Sequence, residues 1–265
     1  MSNIFPGDSS DDIFHKVISL TESDYSWEAL SKNMPNLPRG WFELSRLDVE
    51  ERLEFTRDFW LSKLLFSSTD AARYERRLED FFSNLEEVEI YATQESDNMP
   101  FELHMIYVME DATGFFQGGP PPNPAAIETL KKQFSHCNLP PDFLSFLEIH
   151  DGFSKYTDTG ILKVGQMAQT TRRLQELLAE EVLVRPDGQV IDPQCLIPFY
   201  ESFGLHSYQC FYSDWYPEDE MGNVYFSEHD RTISNFLDAG RLEENLAFPT
   251  FLGWLVFYLE DIWHL

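Results

Sequence analysis

Basic side chains are scarce in this chain of 265 residues, which has 19 Lys and Arg against 46 Asp and Glu and a formal net charge of −27 at pH 7. Nucleic acids are bound mainly by cations that displace counterions from phosphate, so an acidic chain needs a strong local basic patch. The densest basic cluster is Arg73, Arg76 and Arg77, and acidic residues alternate with it. We therefore expect no nucleic-acid partner, and for the same reason no binding to anionic membrane surfaces.

Long apolar runs and cysteines are scarce as well. The longest apolar stretch, residues 247–259, is interrupted by Pro249, Thr250 and Gly253 and is too short to span a bilayer. The 3 cysteines form no C-x-x-C pair, which is typical of a reducing compartment. The first 12 residues lack the basic and apolar regions of a secretory signal. We therefore expect a cytoplasmic protein.

Common catalytic and metal-binding motifs are also missing. The sequence has no P-loop, no G-x-G-x-x-G, no G-x-S-x-G and no H-E-x-x-H. The acidic segment 214–222 fails the calcium-loop spacing, because a glycine at loop position six puts Pro217 at position one. On a strand, Cys210 and His206 would lie about 13 Å apart, too far for a base to activate a thiol. We predict no catalytic, cofactor-binding or metal-binding residues, and a chain that is not an enzyme.

Apolar and aromatic residues are plentiful, at 43% and 15% of the chain, which excludes a disordered acidic tail. The length suggests one large or two small domains. Between residues 117 and 124, two glycines free the backbone and four prolines stiffen it. We predict an N-terminal helical and hairpin region of unknown role at 1–115, a Gly/Pro-rich connection at 116–123 and a second domain at 124–265.

In the first half, Val49, Leu53, Trp60 and Leu64 recur at helical spacing, with Phe59 widening the apolar stripe. A second helical stripe consists of Tyr74, Leu78, Phe81, Phe82 and Leu85. Apolar residues then recur at every second position, at 87–92 and at 101–107. These patterns predict two amphipathic helices followed by a β-hairpin.

In the second half, Asn123 before Pro124 predicts a helix start, and Gly152 predicts a helix end in the left-handed conformation. Further helices are expected at 167–181 and at the C-terminus, with strands at 161–164, 196–200, 207–212 and 223–227. This order predicts an α+β fold with an antiparallel sheet.

Several motifs of the second half occur in a recognisable order. The first is Leu139-Pro140-Pro141-Asp142-Phe143-Leu144-Ser145-Phe146-Leu147, which continues to the turn at Gly152. Later come Ile197-Pro198-Phe199, Gly222-Asn223-Val224-Tyr225 and an aromatic closing segment at 248–259. Over residues 124–262 this order resembles the SUKH superfamily of Smi/Knr-like domains. The resemblance implies a SUKH-like antiparallel or mixed sheet flanked by helices. It also implies a non-enzymatic binding module, whose bacterial versions often neutralise a toxin, frequently a basic nuclease, by covering it.

The leading hypothesis is a protein-binding module, of immunity or regulatory type, whose partner is a basic protein. Complementary charge accelerates encounter and suppresses wrong partners, and aromatics beside charges are typical of interface anchors. The candidate contact residues are Asp214, Trp215, Tyr216, Glu218, Asp219 and Glu220.

Two alternatives remain open. One is an enzyme with an unrecognised site in a cleft between the two halves, which predicts a deep pocket with convergent polar groups and a titratable residue of shifted pKa. The other is a scaffold or oligomer subunit that uses the C-terminal helix, with Trp254, Phe257 and Trp263 exposed.

Overall fold

The computed structural model describes residues 14–64, 71–110, 114–156, 158–179, 182–202, 206–217 and 219–260. The helices are α1 (Trp27–Asn33), α2 (Arg39–Leu44), α3 (Val49–Leu64), α4 (Ala71–Ser83), α5 (Pro124–Gln133), α6 (Pro141–Phe146), α7 (Val164–Leu178) and α8 (Phe251–Glu260). The strands are β1 (Lys16–Ser19), β2 (Leu85–Gln94), β3 (Glu102–Met109), β4 (Phe115–Gly118), β5 (Phe153–Lys155), β6 (Gly160–Ile161), β7 (Leu196–Ser202), β8 (Ser207–Tyr212), β9 (Asn223–Ser227), β10 (Thr232–Ile233) and β11 (Ala247–Phe248).

The strands form one sheet in the order β1 to β10, and β11 pairs with β9. Neighbouring strands in this order are antiparallel. Helices α1 to α7 lie in the connections between strands, and α8 follows β11. The predicted α+β class is confirmed. Among the described residues, no helix is both long and apolar enough to cross a bilayer.

Strand β4 connects the sheet of the first half to that of the second. It pairs with β3 through Met105↔Gly118 and Val108↔Phe115, and with β5 through Gly118↔Phe153. The sheet thus continues across the Gly/Pro-rich segment, and the largest hydrophobic core contains residues from both halves. The division into domains at 116–123 stays a prediction.

Helix α3 lies where the sequence predicts it, but the buried face differs from the expected stripe. Trp60 and Leu64 are fully buried, whereas Val49 is 40% exposed and Phe59 is 36% exposed. Arg52 and Thr56 complete the buried face in their place. Arg52 can be buried because its guanidinium donates to the Leu47 carbonyl at 3.0 Å and to the Glu87 carboxylate at 2.6 Å.

The predicted second helix and hairpin are present as α4 and β2–β3. Leu85, predicted as part of the helical stripe, is instead the first residue of β2. The predicted helix start at α5 is also present, because the Asn123 side chain accepts a hydrogen bond from the Ala126 amide at 2.9 Å. Gly152 has the expected left-handed conformation, with a φ of +80°. The expected helix end at Gly152 is wrong, however, because α6 ends at Phe146 and Gly152 lies in the turn before β5.

Two expectations for the second half are wrong. The strand expected at 161–164 is only Gly160–Ile161, since α7 begins at Val164 rather than at 167. The early start has a local cause, because the Asp151 carboxylate accepts a hydrogen bond from the Val164 amide at 2.6 Å. In α8, Trp254 is only 3% exposed and stacks on Tyr258 at 5.1 Å between ring centroids.

A buried hydrogen-bond network joins the two halves. The Trp60 indole donates to the Tyr107 hydroxyl at 3.0 Å, and the hydroxyl lies 2.6 Å from Nε2 of His150. Because the Gly119 carbonyl, 2.9 Å from Nδ1 of His150, can only accept, Nδ1 carries the proton and Nε2 accepts from Tyr107. Burial lowers the pKa of His150 to about 4, so the ring is neutral at pH 7.

Candidate partner-binding surface

The predicted contact residues lie in the loop between β8 and β9, and backbone hydrogen bonds close this loop at its base. The Trp215 amide donates to the Tyr212 carbonyl at 3.0 Å, and the Gly222 amide donates to the Trp215 carbonyl at 2.9 Å. The Ser213 amide donates to the Cys195 carbonyl at 2.9 Å. The loop therefore has a fixed base on which its outer side chains are displayed.

Trp215 supports this loop from inside. Its indole lies against Gly222, where a Cβ atom would come within 2.4 Å of Cε3 of the indole, and its ring centroid is 5.3 Å from that of Phe236. Phe236 is buried and also contacts Tyr212 at 5.4 Å. A glycine at position 222 is required by this close approach, and Trp215 is half-buried by it.

The other predicted contact residues differ in exposure. Asp214 and Asp219 are exposed, Tyr216 is 46% exposed, and Glu220 is half-buried. Asp219 has a φ of +61°, in the left-handed region that Asp tolerates better than most residues. Glu218 lies outside the described residues. The structure therefore brings one exposed aromatic ring together with exposed carboxylates.

Asp192, which lies outside the loop, extends this acidic surface. Burial raises the pKa of the Cys195 thiol, and the nearby charges of Asp214 and Asp192 raise it further. Burial also raises the pKa of Tyr216, with a further contribution from Asp214. Both groups therefore stay neutral at pH 7, and the charge of this surface comes from its carboxylates.

The buried carboxylate of Asp142 lies next to the same surface. It accepts hydrogen bonds from the Phe143 amide at 2.8 Å and from the Leu252 amide at 2.7 Å, so it joins α6 to the first turn of α8. Burial raises the pKa of Asp142 to about 7, and the nearby charge of Glu220 acts in the same direction. In the sequence Asp142 is visible only as part of a motif, because its partner Leu252 is remote along the chain.

The cysteine and histidine considered in the sequence lie in different environments. Cys210 is fully buried, which raises the pKa of its thiol, and His206 is exposed. In the part of the chain that the structure describes, no group of three or more His, Cys, Asp or Glu is arranged to hold a metal ion.

A polar cleft of about 530 Å³ lies between residues of the first half and residues 151–166. His104 in this cleft has its pKa lowered by burial, and Asp151 has its pKa raised by burial. A cleft with polar groups and titratable residues of shifted pKa is what we expect if the chain is an enzyme with a site between the two halves.

The polar groups of the cleft also have structural partners. Nε2 of His104 lies 3.0 Å from the Thr93 hydroxyl, and Asp151 caps α7. Asp158 accepts a hydrogen bond from the Tyr258 hydroxyl at 3.0 Å. These groups therefore stabilise the fold at the same time as they line the cleft.

The family comparison concerns the second half of the chain. The family model described as SMI1 / KNR4 family (SUKH-1) matches residues 121–252, which include α5 to α7, β5 to β11 and the loop between β8 and β9. Comparison with curated proteins and with solved structures gave no match.

Proposed function

The C-terminal half of the chain, residues 121–252, belongs to the SMI1 / KNR4 family (SUKH-1), and from this we propose that the chain is a non-enzymatic protein-binding module. The proposed partner is a basic protein, and the proposed role is that of an immunity-type or regulatory protein. The observation that carries the proposal is the charge of the C-terminal part, where residues 201–265 hold 12 acidic residues against Arg231 and Arg241.

The loop between β8 and β9 suits such a partner. The carboxylates of Asp214 and Asp219 attract lysine and arginine side chains, and the exposed face of Tyr216 offers a surface on which a guanidinium can stack. Because Trp215 holds the loop from inside, little side-chain ordering has to accompany binding. We propose Asp214, Trp215, Tyr216, Glu218, Asp219 and Glu220 as contact or supporting residues of this interface.

We propose binding rather than catalysis because the titratable groups of the polar cleft are committed to the fold. His104 is held by Thr93, and Asp151 is held by the α7 amide of Val164. A scaffold role for the C-terminal helix receives little support from Trp254, which is buried, or from Phe257, which is half-buried. Trp263 lies outside the described residues.

The test uses the double variant Asp214→Lys, Tyr216→Ala in affinity capture from the native cell's lysate at low and at moderate salt. We expect the natural sequence to retain a basic protein whose recovery falls with salt, because screening shortens the range of the interaction. Recovery on the variant should fall about tenfold or more, as quantified by mass spectrometry. Both altered side chains are exposed, so the melting temperature should stay unchanged.

Glu95→Lys is the matched control, since Glu95 is exposed and lies on the remote loop between β2 and β3. It changes the net charge by as much as Asp214→Lys does, and it should leave the recovery unchanged. Equal recovery of the basic protein on all three chains would remove the loop between β8 and β9 from the proposal.

A further inference from the structure

An apolar groove of about 250 Å³ lies on another part of the surface, where α2 and α3 of the first half meet residues of the second half. Its walls are formed by Trp41, Leu44, Phe55, Phe59, Pro121 and Ile149. Trp60, Tyr107 and His150 lie at its buried end. Because Tyr107 and His150 are hydrogen-bonded to each other, the polar atoms at this end are satisfied without a ligand. We call this site the Phe55 groove.

Phe55 and Phe59 give the groove an exposed apolar rim. Phe55 is 58% exposed and Phe59 is 36% exposed, and both lie on α3 one helical turn apart. Exposed aromatic side chains beside an apolar concavity are typical of the centres of protein interfaces. The volume lies below the roughly 300–1,000 Å³ of small-molecule sites, so the groove suits one large side chain.

The charges beside the groove favour a basic occupant. Glu51 and Asp58 lie one turn before and after Phe55 on α3 and are exposed, and Glu148 belongs to the groove lining. Arg57 and Lys63 form ion pairs with Asp58 and Glu148, so the basic occupant is favoured by Glu51 and by the net charge of −27 of the whole chain. A second copy of this chain fits poorly, because two molecules of charge −27 repel each other.

We infer that the Phe55 groove receives one large apolar side chain from a basic segment of the partner protein, while the exposed Glu51 on α3 attracts a lysine or arginine beside it. This inference rests on the proposed function and adds a second, apolar contact to it. The groove supplies the buried anchor that the acidic loop lacks, since a charged rim contributes mainly to encounter and a filled apolar pocket mainly to residence time.

The probe is a short lysine-rich peptide with one central phenylalanine, bound to the full-length chain. Two matched peptides replace the phenylalanine by alanine or every lysine by glutamate. Fluorescence anisotropy measures the Kd, and the methyl signal of Met105, which lines the groove, reports occupancy by NMR. We expect the phenylalanine peptide to bind about tenfold more tightly than the alanine peptide, and the glutamate peptide to bind at least tenfold more weakly.

The variant Phe55→Ser should abolish the difference between the phenylalanine and alanine peptides. Val190→Ser is its control, because Val190 is 68% exposed and lies outside the groove. Gly40→Leu also tests whether the phenylalanine of the peptide enters the groove, and it does so without removing a side chain. Gly40 lines the groove, and a Cβ atom at this position would have no other atom within 4 Å. A leucine there should therefore narrow the groove. It should weaken the binding of the phenylalanine peptide and leave the binding of the alanine peptide unchanged.

Each other outcome overturns the inference in a distinct way. Equal affinity of the phenylalanine and alanine peptides would dismiss the groove but leave the proposed binding of basic proteins intact. If no lysine-rich peptide binds at low salt, both proposals fail. Tight binding of the glutamate peptide would contradict the basic occupant. A dimer in sedimentation analysis that Phe55→Ser dissociates would identify a second copy of the chain as the occupant.

Discussion

His150 is held neutral inside the protein, and this has a consequence for stability at low pH. In the fold burial lowers its pKa to about 4, against about 6.5 in the unfolded chain. Between these values only the unfolded chain takes up the proton, so the His150 contribution to the free energy of unfolding is complete above pH 6.5 and is lost as the pH falls towards 4. The loss amounts to roughly 3 kcal/mol.

The variant His150→Asn isolates this contribution. At pH 7 it should be less stable than the natural sequence, because the Tyr107 hydroxyl and the Gly119 carbonyl lose their partner. As the pH falls from 6.5 to 4, the stability difference between the two chains should shrink, as measured by urea unfolding at each pH. A difference that is constant across this range would contradict the neutral, buried imidazole.

The contribution of Asp142 to the free energy of unfolding changes with pH in the opposite direction. Burial raises its pKa to about 7 in the fold, against about 3.9 when unfolded. Between these values the folded chain holds the proton and the unfolded chain does not, so this contribution is complete below pH 3.9 and is lost as the pH rises through 7. Since His150 and Asp142 oppose each other over nearly the same range, the natural sequence should show a shallower pH dependence than a chain that lacks the Asp142 carboxylate.

Asp142→Asn is therefore expected to lose stability more steeply than the natural sequence as the pH falls from 6.5 to 4. Thermal unfolding in a series of buffers measures this slope, and Asp97→Asn, at an exposed carboxylate, is the control. A variant slope equal to that of the natural sequence would mean that Asp142 is ionised in the fold throughout this range.

At the level of elements, the sequence predicts those helices, strands and caps that depend on residues close together in the chain. The stripe of α4, the alternation of β2 and β3 and the Asn123 cap depend on neighbours within a few residues, so they are visible in one chain. Helix α3 shows the limit of this reasoning. Its buried face includes Arg52, because the Leu47 carbonyl and Glu87 accept hydrogen bonds from the two terminal nitrogens of the guanidinium, and Glu87 belongs to a strand that is remote along the chain.

The two candidate binding sites also differ in how far the sequence predicts them. The acidic loop between β8 and β9 is predictable from the sequence because its residues are contiguous, although the supporting contacts of Trp215 with Gly222 and Phe236 are not. The Phe55 groove could not be predicted, since its walls come from α2, α3 and residues 121 and 149. The pairing of β3, β4 and β5 and the packing of α3 on α6 bring these segments together.

For the whole molecule, the shared core argues that the two halves depend on each other for stability. Trp60 and Tyr107 of the first half contact His150 and Phe153 of the second, with ring centroids between 5.6 and 5.8 Å apart in these pairs. Truncation of a buried aromatic residue costs about 3–5 kcal/mol, and a whole domain is stable by only about 5–15 kcal/mol. Loss of both Trp60 and Tyr107 is therefore comparable to the total stability.

We accordingly expect a fragment of residues 119–265 to lack a cooperative transition on its own, even though it contains all of the family match. Near-UV circular dichroism and urea unfolding measure this, with the full-length chain as the reference. Addition of a fragment of residues 1–118 should restore the transition, because it returns β3, β4 and the aromatic residues that cover His150. A sharp transition of the 119–265 fragment alone would instead support the predicted division at 116–123, and the contacts across β4 would then be an interface between two domains.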